Sequence, residues 1–312
     1  MTQSSKQRGP RICVVGACNI DLVSYVPRLP REGETLHGAR FQQGFGGKGA
    51  NQAVMAAKLG AEVAMISKLG QDSFGEDTLR NFKALGVDTA HVHQSAEAAS
   101  GVAPIAVDAD GRNAIIIVTG ANDLLTDDEI EAARSAIAAS SVLVCQLEIP
   151  VERSLKALQV AREEGVRTIF NPAPARESLP KQIYALSDIF CPNESECELL
   201  TGLPVQTDAQ AERAARTLLE RGPQTVLLTL GKRGALIVDG KSVRRVEAQT
   251  VQAVDSTGAG DAFVGSLAFF LARGNALDDA VHRACRIATR SVLKPGTQSS
   301  FPDAAELGEL LS

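Results

Sequence analysis

Between residues 11 and 272 the chain keeps returning to one unit: a short apolar run, a polar or glycine-rich corner, then a longer segment of helix-forming residues. The runs at 11–16, 62–67, 142–147, 167–170, 187–191 and 225–230 read as strands buried on both faces, because apolar residues follow one another instead of alternating with polar ones. The segments at 50–59, 74–85, 151–164 and 210–221 read as helices, and Gly60 and Gly86 stop the first two. Thr126 with Glu129 three residues on is a capping box that opens another. Strands that alternate with helices predict an α/β fold, a mostly parallel sheet covered by helices on both faces. In such sheets ligands bind beyond the carboxyl ends of the strands. Glu148, Asn171, Asn193, Thr229 and the 255–261 loop all fall at such ends. Each alone is an ordinary cap or turn former. Together they mark one edge of the sheet as a shared site.

The rhythm is broken twice. After the first strand no helix follows; 20–25 and 34–45 are extended and punctuated by Pro27, Pro30 and Gly33. Later, 101–107 and 114–119 flank Asp108, Ala109, Asp110 and Gly111, a strong hairpin signal. These strands are expected to leave the main sheet and join in a small β layer built from about 19–45 and 100–119, within one catalytic domain spanning 1–312. A further strand pair is expected across Asp239 and Gly240.

Composition narrows the function classes. A chain of 312 residues, 44% hydrophobic, can bury a large core. Its net charge of -5 argues against non-specific affinity for nucleic acid or anionic membrane, and no apolar run is long enough to span a bilayer. The six cysteines are scattered, without a Cys-x-x-Cys pair or a His cluster, so neither a disulfide framework nor a zinc site is expected. A reducing, cytoplasmic setting is the expectation, as is the absence of nucleic-acid and membrane partners.

Two glycine-rich stretches carry the chemistry. In the first, Gly258, Ala259 and Gly260 stand between Asp255 and Asp261, ahead of a helix expected over about 259–271. Small residues let successive N–H groups converge on one anion, and the helix adds its positive end. Asp261, on the first turn, is placed to take a proton from an attacking hydroxyl while the amides hold the charge of a phosphoryl group in transfer. The same residues would also serve a plain capped turn, with Asp255 or Ser256 as the cap.

The second stretch runs from Gly44 to Gln52. Gly44, Gly46 and Gly49 match the dinucleotide pattern G-x-G-x-x-G, but outside the chain's first strand-turn-helix and with Lys48 and Asn51 where backbone alone is needed. A phosphate-binding Walker loop also fails, since Gly49 follows Lys48 where Ser or Thr should hold magnesium. A polyol clamp fits better, with close backbone approach from the glycines and hydrogen bonds from Lys48 and Asn51 to hydroxyls. The alternative is a tight turn before a helix with Lys48 in solvent.

Taken with Gln146-Leu147-Glu148, Asn171-Pro172-Ala173-Pro174-Ala175, Asn193-Glu194-Ser195-Glu196 and Gly296-Thr297-Gln298-Ser299-Ser300, these two stretches resemble the signatures of the PfkB-type carbohydrate kinases over about residues 12–302. The resemblance implies a central, mostly parallel sheet flanked by helices, with a small β lid that closes over a sugar and pairs two copies into a homodimer. It implies ATP-dependent phosphorylation of D-ribose at its C5 hydroxyl. Ribose would be held by Asn19, Asp21, Gly47, Lys48, Asn51 and Glu148, with Asp261 as the base and Gly258, Ala259 and Gly260 as the anion hole. ATP would lie against Asn193, the loop Thr229, Leu230, Gly231, Lys232, Arg233 and Gly234, then Gly260 and Cys285. Glu196 would stand near Mg2+. An activating K+ would be coordinated around Asp255, Thr257, Ser291, Lys294, Gly296 and Ser300. Cys285 departs from the Asn common in the family, and a thiol is a far poorer hydrogen-bonding group.

Three rival readings remain distinguishable. A kinase of deoxyribose or fructose would share these motifs. A catalytically idle sugar sensor predicts a lost base, yet Asp261 is present. A dehydrogenase needs a ribose-binding acid about twenty residues after its glycine loop, and Asp72, near that distance, lies in a turn beyond the next strand.

Overall fold

A computed structural model describes residues 9–311. Nine strands form the main sheet, in the order β13 (Val243–Val246), β12 (Ala235–Asp239), β11 (Thr225–Thr229), β10 (Ile189–Phe190), β9 (Arg167–Phe170), β8 (Val142–Cys145), β1 (Arg11–Val15), β4 (Glu62–Gly70) and β5 (Asp88–Ser95). From β11 to β5 every pairing is parallel; β12 and β13 return antiparallel at one edge.

Alternate residues of these strands enter different cores, as the pleat requires. Ile12, Val14, Met65, Val144 and Leu227 face one layer. That layer holds α1 (Lys48–Lys58), α2 (Ser73–Ala84), α9 (Ala259–Ala272), α10 (Leu277–Ser291) and α11 (Ala304–Leu307). Cys13, Val15, Leu143, Cys145 and Leu228 face the other. It is built from α3 (Asp127–Ala132), α4 (Arg134–Ala138), α5 (Val151–Glu163), α6 (Lys181–Ala185), α7 (Glu194–Thr201) and α8 (Asp208–Leu219). All six cysteines are buried free thiols. Among the described residues no helix is long and apolar enough to cross a membrane.

A second sheet stands off the first, in the order β3 (Arg40–Gly46), β2 (Asn19–Tyr25), β6 (Gly101–Val107) and β7 (Asn113–Ile115). It is built from the two excursions that broke the strand-helix rhythm. β2 pairs antiparallel with β3 and parallel with β6, and β6 turns back on β7 at Asp108. The Asp108 carboxylate accepts from the Asp110 and Arg112 amides and so closes that turn.

Several boundaries differ from the sequence reading. β5 carries Asp88, His91, His93 and Gln94 and has no apolar run; it is an edge strand whose side chains are largely half-exposed, so it needs none. β10 keeps two residues of the expected run at 187–191, because Ser187 and Asp188 bond instead to Ile183 and Thr168. Residues 34–39 form no strand, and the last strand of the small sheet ends at Ile115, with Val118 bridging back to Val102.

Candidate active site

α9 is apolar and almost wholly buried, and it enters the molecule beside α1. Gly265 makes the approach possible: a Cβ there would lie 2.5 Å from the Gln52 carbonyl and 2.8 Å from Met55. This contact sets the first turn of α9 over the first turns of α1. Asp261, only 7% exposed, is there held by two amides. Asn51 Nδ2 donates to its Oδ2 at 2.9 Å, and Gln52 Nε2 donates to its Oδ1 at 2.9 Å.

The turn ahead of α9 takes a left-handed backbone at Gly258. Gly258 has φ 76°, and a Cβ there would meet Thr297 at 2.6 Å, so only glycine fits. Gly260 is different: nothing lies within 4 Å of a Cβ built on it. The protein does not require glycine at 260, whereas close approach of a ligand to the backbone would. The amides of a first helical turn lack intrahelical acceptors and face this space. Ala259 N–H meanwhile donates to Ser256 O at 3.2 Å.

On one side of the 255–260 loop lies a cleft of about 620 Å³ under the small sheet, bordered by Asp21, Val23 and Gly44 on that sheet and by Thr257, Thr297 and Gln298 on the body; of the residues expected to hold a sugar, Asp21 alone lines it. Asp21 sits directly over Gly46, where a Cβ would lie 2.2 Å from its carboxylate. Burial, with Glu148 and then Asp261 adding repulsion against a bond from Thr297, pushes the Asp21 carboxyl up to about 6. Gly47, at φ 85°, lets the chain turn against Ala17, Cys18 and Asn19 into α1. The first amide of that helix, Lys48 N–H, donates to Glu148 Oε2 at 2.7 Å. Burial works against the Lys48 ammonium, yet the Asp261, Glu148 and Glu196 carboxylates together raise its pKa. For Glu148 burial prevails over Lys48 and raises the carboxyl. Lys48 is therefore a half-buried cation set among the Asp261, Glu148 and Glu196 carboxylates and does not stand free in solvent.

On the other side is a second cleft of about 620 Å³, lined by Asn193, Thr229, Gly231, Lys232 and Gly234 and, across from them, by Ala259, Gly260, Phe263 and Cys285. Two residues of the expected loop face elsewhere. Leu230 is buried in the core, and the Arg233 guanidinium bonds to Glu194 at 2.5 Å and to Asp208 at 3.1 Å. Cys285 does line the cleft, with its thiol pushed up to about 12 by burial, so it is neutral there. Asn193 and Glu196 form a reciprocal cap at the start of α7: Asn193 Oδ1 accepts from Glu196 N–H at 2.8 Å, and Asn193 N–H and Nδ2 donate to the two Glu196 carboxylate oxygens. Burial raises the Glu196 carboxyl, the Asn193 bond and Lys48 opposing it.

Asp255 points away from Asp261 and ties two loops together. Its Oδ1 accepts from Thr257 N–H at 2.9 Å and Thr257 Oγ1 at 2.7 Å, and its Oδ2 accepts from Gly296 N–H at 2.9 Å. Burial would raise this carboxyl, but these bonds hold it below the usual carboxylate range. Ser291 and Ser300 are buried with their hydroxyls donating to Ala288 O and Thr297 O, and Lys294 reaches out to Glu306 at 2.8 Å. Among the described residues no three His, Cys, Asp or Glu side chains gather as a metal site.

The sequence reading missed the amide network beneath Asp261. Gln52 Nε2 also donates to Asn171 Oδ1 at 3.1 Å, and Gln146 Nε2 donates to Gln52 Oε1 at 2.6 Å. Gln298 Nε2 donates to Asn51 Oδ1 at 3.0 Å. Asn122, fully buried between the two sheets, was missed as well. The signal available for Gln52 and Gln146 was a long polar side chain next to apolar sequence, while Gln298 lies in a polar stretch; the contacts of these three span 94 to 247 residues and have no local pattern.

Comparison with known proteins agrees with this geometry. Residues 10–304 match the family described as pfkB family carbohydrate kinase. The chain is 47% identical to a mouse ribokinase over 97% of its own length and 95% of the mouse protein. It is 40% identical to a deoxyribokinase of Salmonella typhi, over 96% of this chain and 98% of that protein. Among solved structures, an Arabidopsis thaliana ribokinase complexed with ribose and ATP superposes with a TM-score of 0.89 at 30% identity, covering 97% of this chain and 99% of that one. The chain belongs to the pfkB family of carbohydrate kinases.

Proposed function

We propose that the protein transfers the terminal phosphoryl group of ATP to the C5 hydroxyl of D-ribose, giving ribose 5-phosphate and ADP. One observation carries the reading: the 255–260 loop borders both clefts, and the buried carboxylate of Asp261 follows it directly, held by the Asn51 and Gln52 amides. Likeness to the mouse ribokinase and to the ribose- and ATP-bound Arabidopsis structure supports the choice of substrates.

Ribose lies under the small sheet, against Asn19, Asp21, Gly47, Lys48, Asn51 and Glu148. Asn51 keeps one amide hydrogen for it, since its other polar groups are engaged by Asp261 and Gln298. Asp261 accepts the proton of the attacking hydroxyl, with Asn51 and Gln52 keeping its oxygens aimed. Amides of residues 258–260 stabilise charge on the phosphoryl group, and Lys48 balances the surrounding acids. ATP lies over Asn193 and the 229–234 loop, where Leu230 and Arg233 contribute backbone only. Magnesium would supply positive charge to neutralise the phosphates. Glu196, whose carboxylate oxygens both accept from Asn193, would stand near it. Asp255, Thr257 and Gly296, drawn together by the Asp255 carboxylate, would hold an activating potassium ion together with Ser291, Lys294 and Ser300. The small sheet acts as a lid, and two copies pair through it as a cytoplasmic homodimer. Phe41, Ile116, Ile117 and Val118 are exposed apolar groups on it that such pairing would cover.

Coupled measurement of ADP release with ribose, ATP and magnesium tests the reading; no ribose-dependent ADP would overturn it. A deoxyribokinase is the second reading, favoured by the 40% identity to the Salmonella protein. A site built to bond the 2-hydroxyl rejects the analogue lacking it strongly, so comparable kcat/KM for 2-deoxyribose would favour that reading.

A further inference from the structure

Asn122 lies in the short 3-10 turn Gly120–Leu124, where the chain leaves the small sheet. Its side chain is fully buried and touches both the entry to that sheet and its exit. Cys18 N–H donates to Asn122 Oδ1 at 2.9 Å. Asn122 Nδ2 is 3.0 Å from Cys18 O, 2.8 Å from Thr119 O and 3.0 Å from Asn19 Oδ1. The backbone leaves this amide no choice of orientation. A backbone N–H can only donate and a backbone carbonyl can only accept, so Asn122 must present oxygen to the first and NH2 to the others. The Asn19 atom facing that NH2 must in turn be oxygen. Space is closed around the pair: a Cβ on Gly101 would lie 2.2 Å from Asn19 Oδ1 and 2.3 Å from Asn122 Nδ2.

Asn19 and Asp21 are two apart on β2 and so share a face; further along that face Asp21 and Val23 border the cleft under the small sheet. Asn19 Nδ2 makes no hydrogen bond to the described protein. We infer that Asn122 is a positioning residue that fixes the hydrogen-bond polarity of the sugar site: it holds Asn19 with its NH2 toward the cleft, as a donor only, beside the acceptor Asp21. A sugar hydroxyl set between them accepts from Asn19 and donates to Asp21, a directional pair that a free-flipping Asn19 would not enforce.

The inference rests on the sugar-kinase reading, and its test separates the two. KM for ribose, KM for ATP, kcat and the melting temperature are measured for Asn122→Asp, Asn19→Ala and the double variant. In Asn122→Asp the new carboxylate keeps an oxygen for Cys18 N–H but offers Asn19 another acceptor, so Asn19 flips and shows its oxygen to the hydroxyl. KM for ribose is expected to rise at least tenfold with KM for ATP changed less than twofold, and the rise is expected to vanish in the Asn19→Ala background. Additive effects, or equal loss on both substrates, would assign Asn122 a purely structural role and overturn the inference. Should Asn122→Asp fail to fold, Asn19→Asp tests the same polarity from the other side: Asn122 holds one carboxylate oxygen and the other meets the hydroxyl as an acceptor. An unchanged KM for ribose in that variant would overturn it too. A wild-type enzyme that turns over no sugar sinks the kinase reading itself; if it prefers another sugar, the same cycle is run with that one.

Discussion

Replacing Asp261 by asparagine removes the base while leaving volume and shape nearly unchanged. The surrounding hydrogen bonds indicate how little else should happen. Asn51 and Gln52 both donate to the carboxylate, one to each oxygen. An asparagine can accept only one of these bonds and must turn its own NH2 toward the other donor. Asn51 has no second acceptor for that hydrogen, whereas Gln52 Nε2 already leans on Asn171 Oδ1 at 3.1 Å. The new amide therefore gives its oxygen to Asn51 and its NH2 to the Gln52 side. The structural cost stays near the low end of leaving a buried donor short, about 1 kcal/mol. Loss of a general base costs about 10²–10⁴ in rate, or ~3–5 kcal/mol in barrier height. Rate and stability should thus part company. In a coupled ADP assay at saturating ribose and ATP, kcat is expected to fall at least a hundredfold, while thermal unfolding moves by only a few degrees and ribose still protects against it. A variant of near wild-type speed would refute the role given to Asp261. A collapse of the fold would refute the hydrogen-bond accounting instead.

Gly258→Ala forces a side chain into a left-handed backbone and against Thr297; a loss of about 1–3 kcal/mol in stability is expected by denaturant titration, together with loss of turnover. Potassium is expected to raise kcat/KM several-fold over sodium, and Asp255→Ala, which unties Thr257 from Gly296, should erase the difference; equal wild-type rates in the two salts would remove the cation from the scheme. Asp21 gives opposite pH trends in two assays. Its carboxyl is raised to about 6, so the folded protein takes up a proton that the unfolded chain releases near 4, and stability should grow as pH falls from 7 toward 4 by up to ~3 kcal/mol. kcat/KM for ribose should fall over the same interval as the acceptor is lost, and a sugar affinity indifferent to pH between 5 and 7 would exclude Asp21 from the site.

The parts of this molecule that were legible in its sequence are those whose causes are local. Apolar runs between helical segments forecast the sheet, and the paired excursions forecast a second one, because the pleat and the helical turn impose short periods on which residues are apolar. The Thr126 and Asn193 caps could be read for the same reason, each closing on itself three residues away. β5 was illegible because an edge strand needs no buried face on both sides. Gly265 and Gly260 illustrate the other limit. In sequence they are two glycines on one helix; in space the first admits α1 at van der Waals distance and the second leaves room that no protein atom fills. The amides around Asp261 lay furthest from view. A glutamine read from sequence is a surface group, yet Gln52, Gln146 and Gln298 come from three distant segments to fix one carboxylate, Gln52 directly, Gln146 through Gln52 and Gln298 through Asn51. A buried carboxylate is expensive to desolvate unless donors meet it. Once Asp261 is buried in the first turn of α9, the surrounding chain must supply such donors, whatever their separation in sequence. The 255–261 loop can therefore be chemically competent only as part of the α1–α9 contact, and a substitution at Gly265 far from either substrate should disturb catalysis by moving the base off its amides.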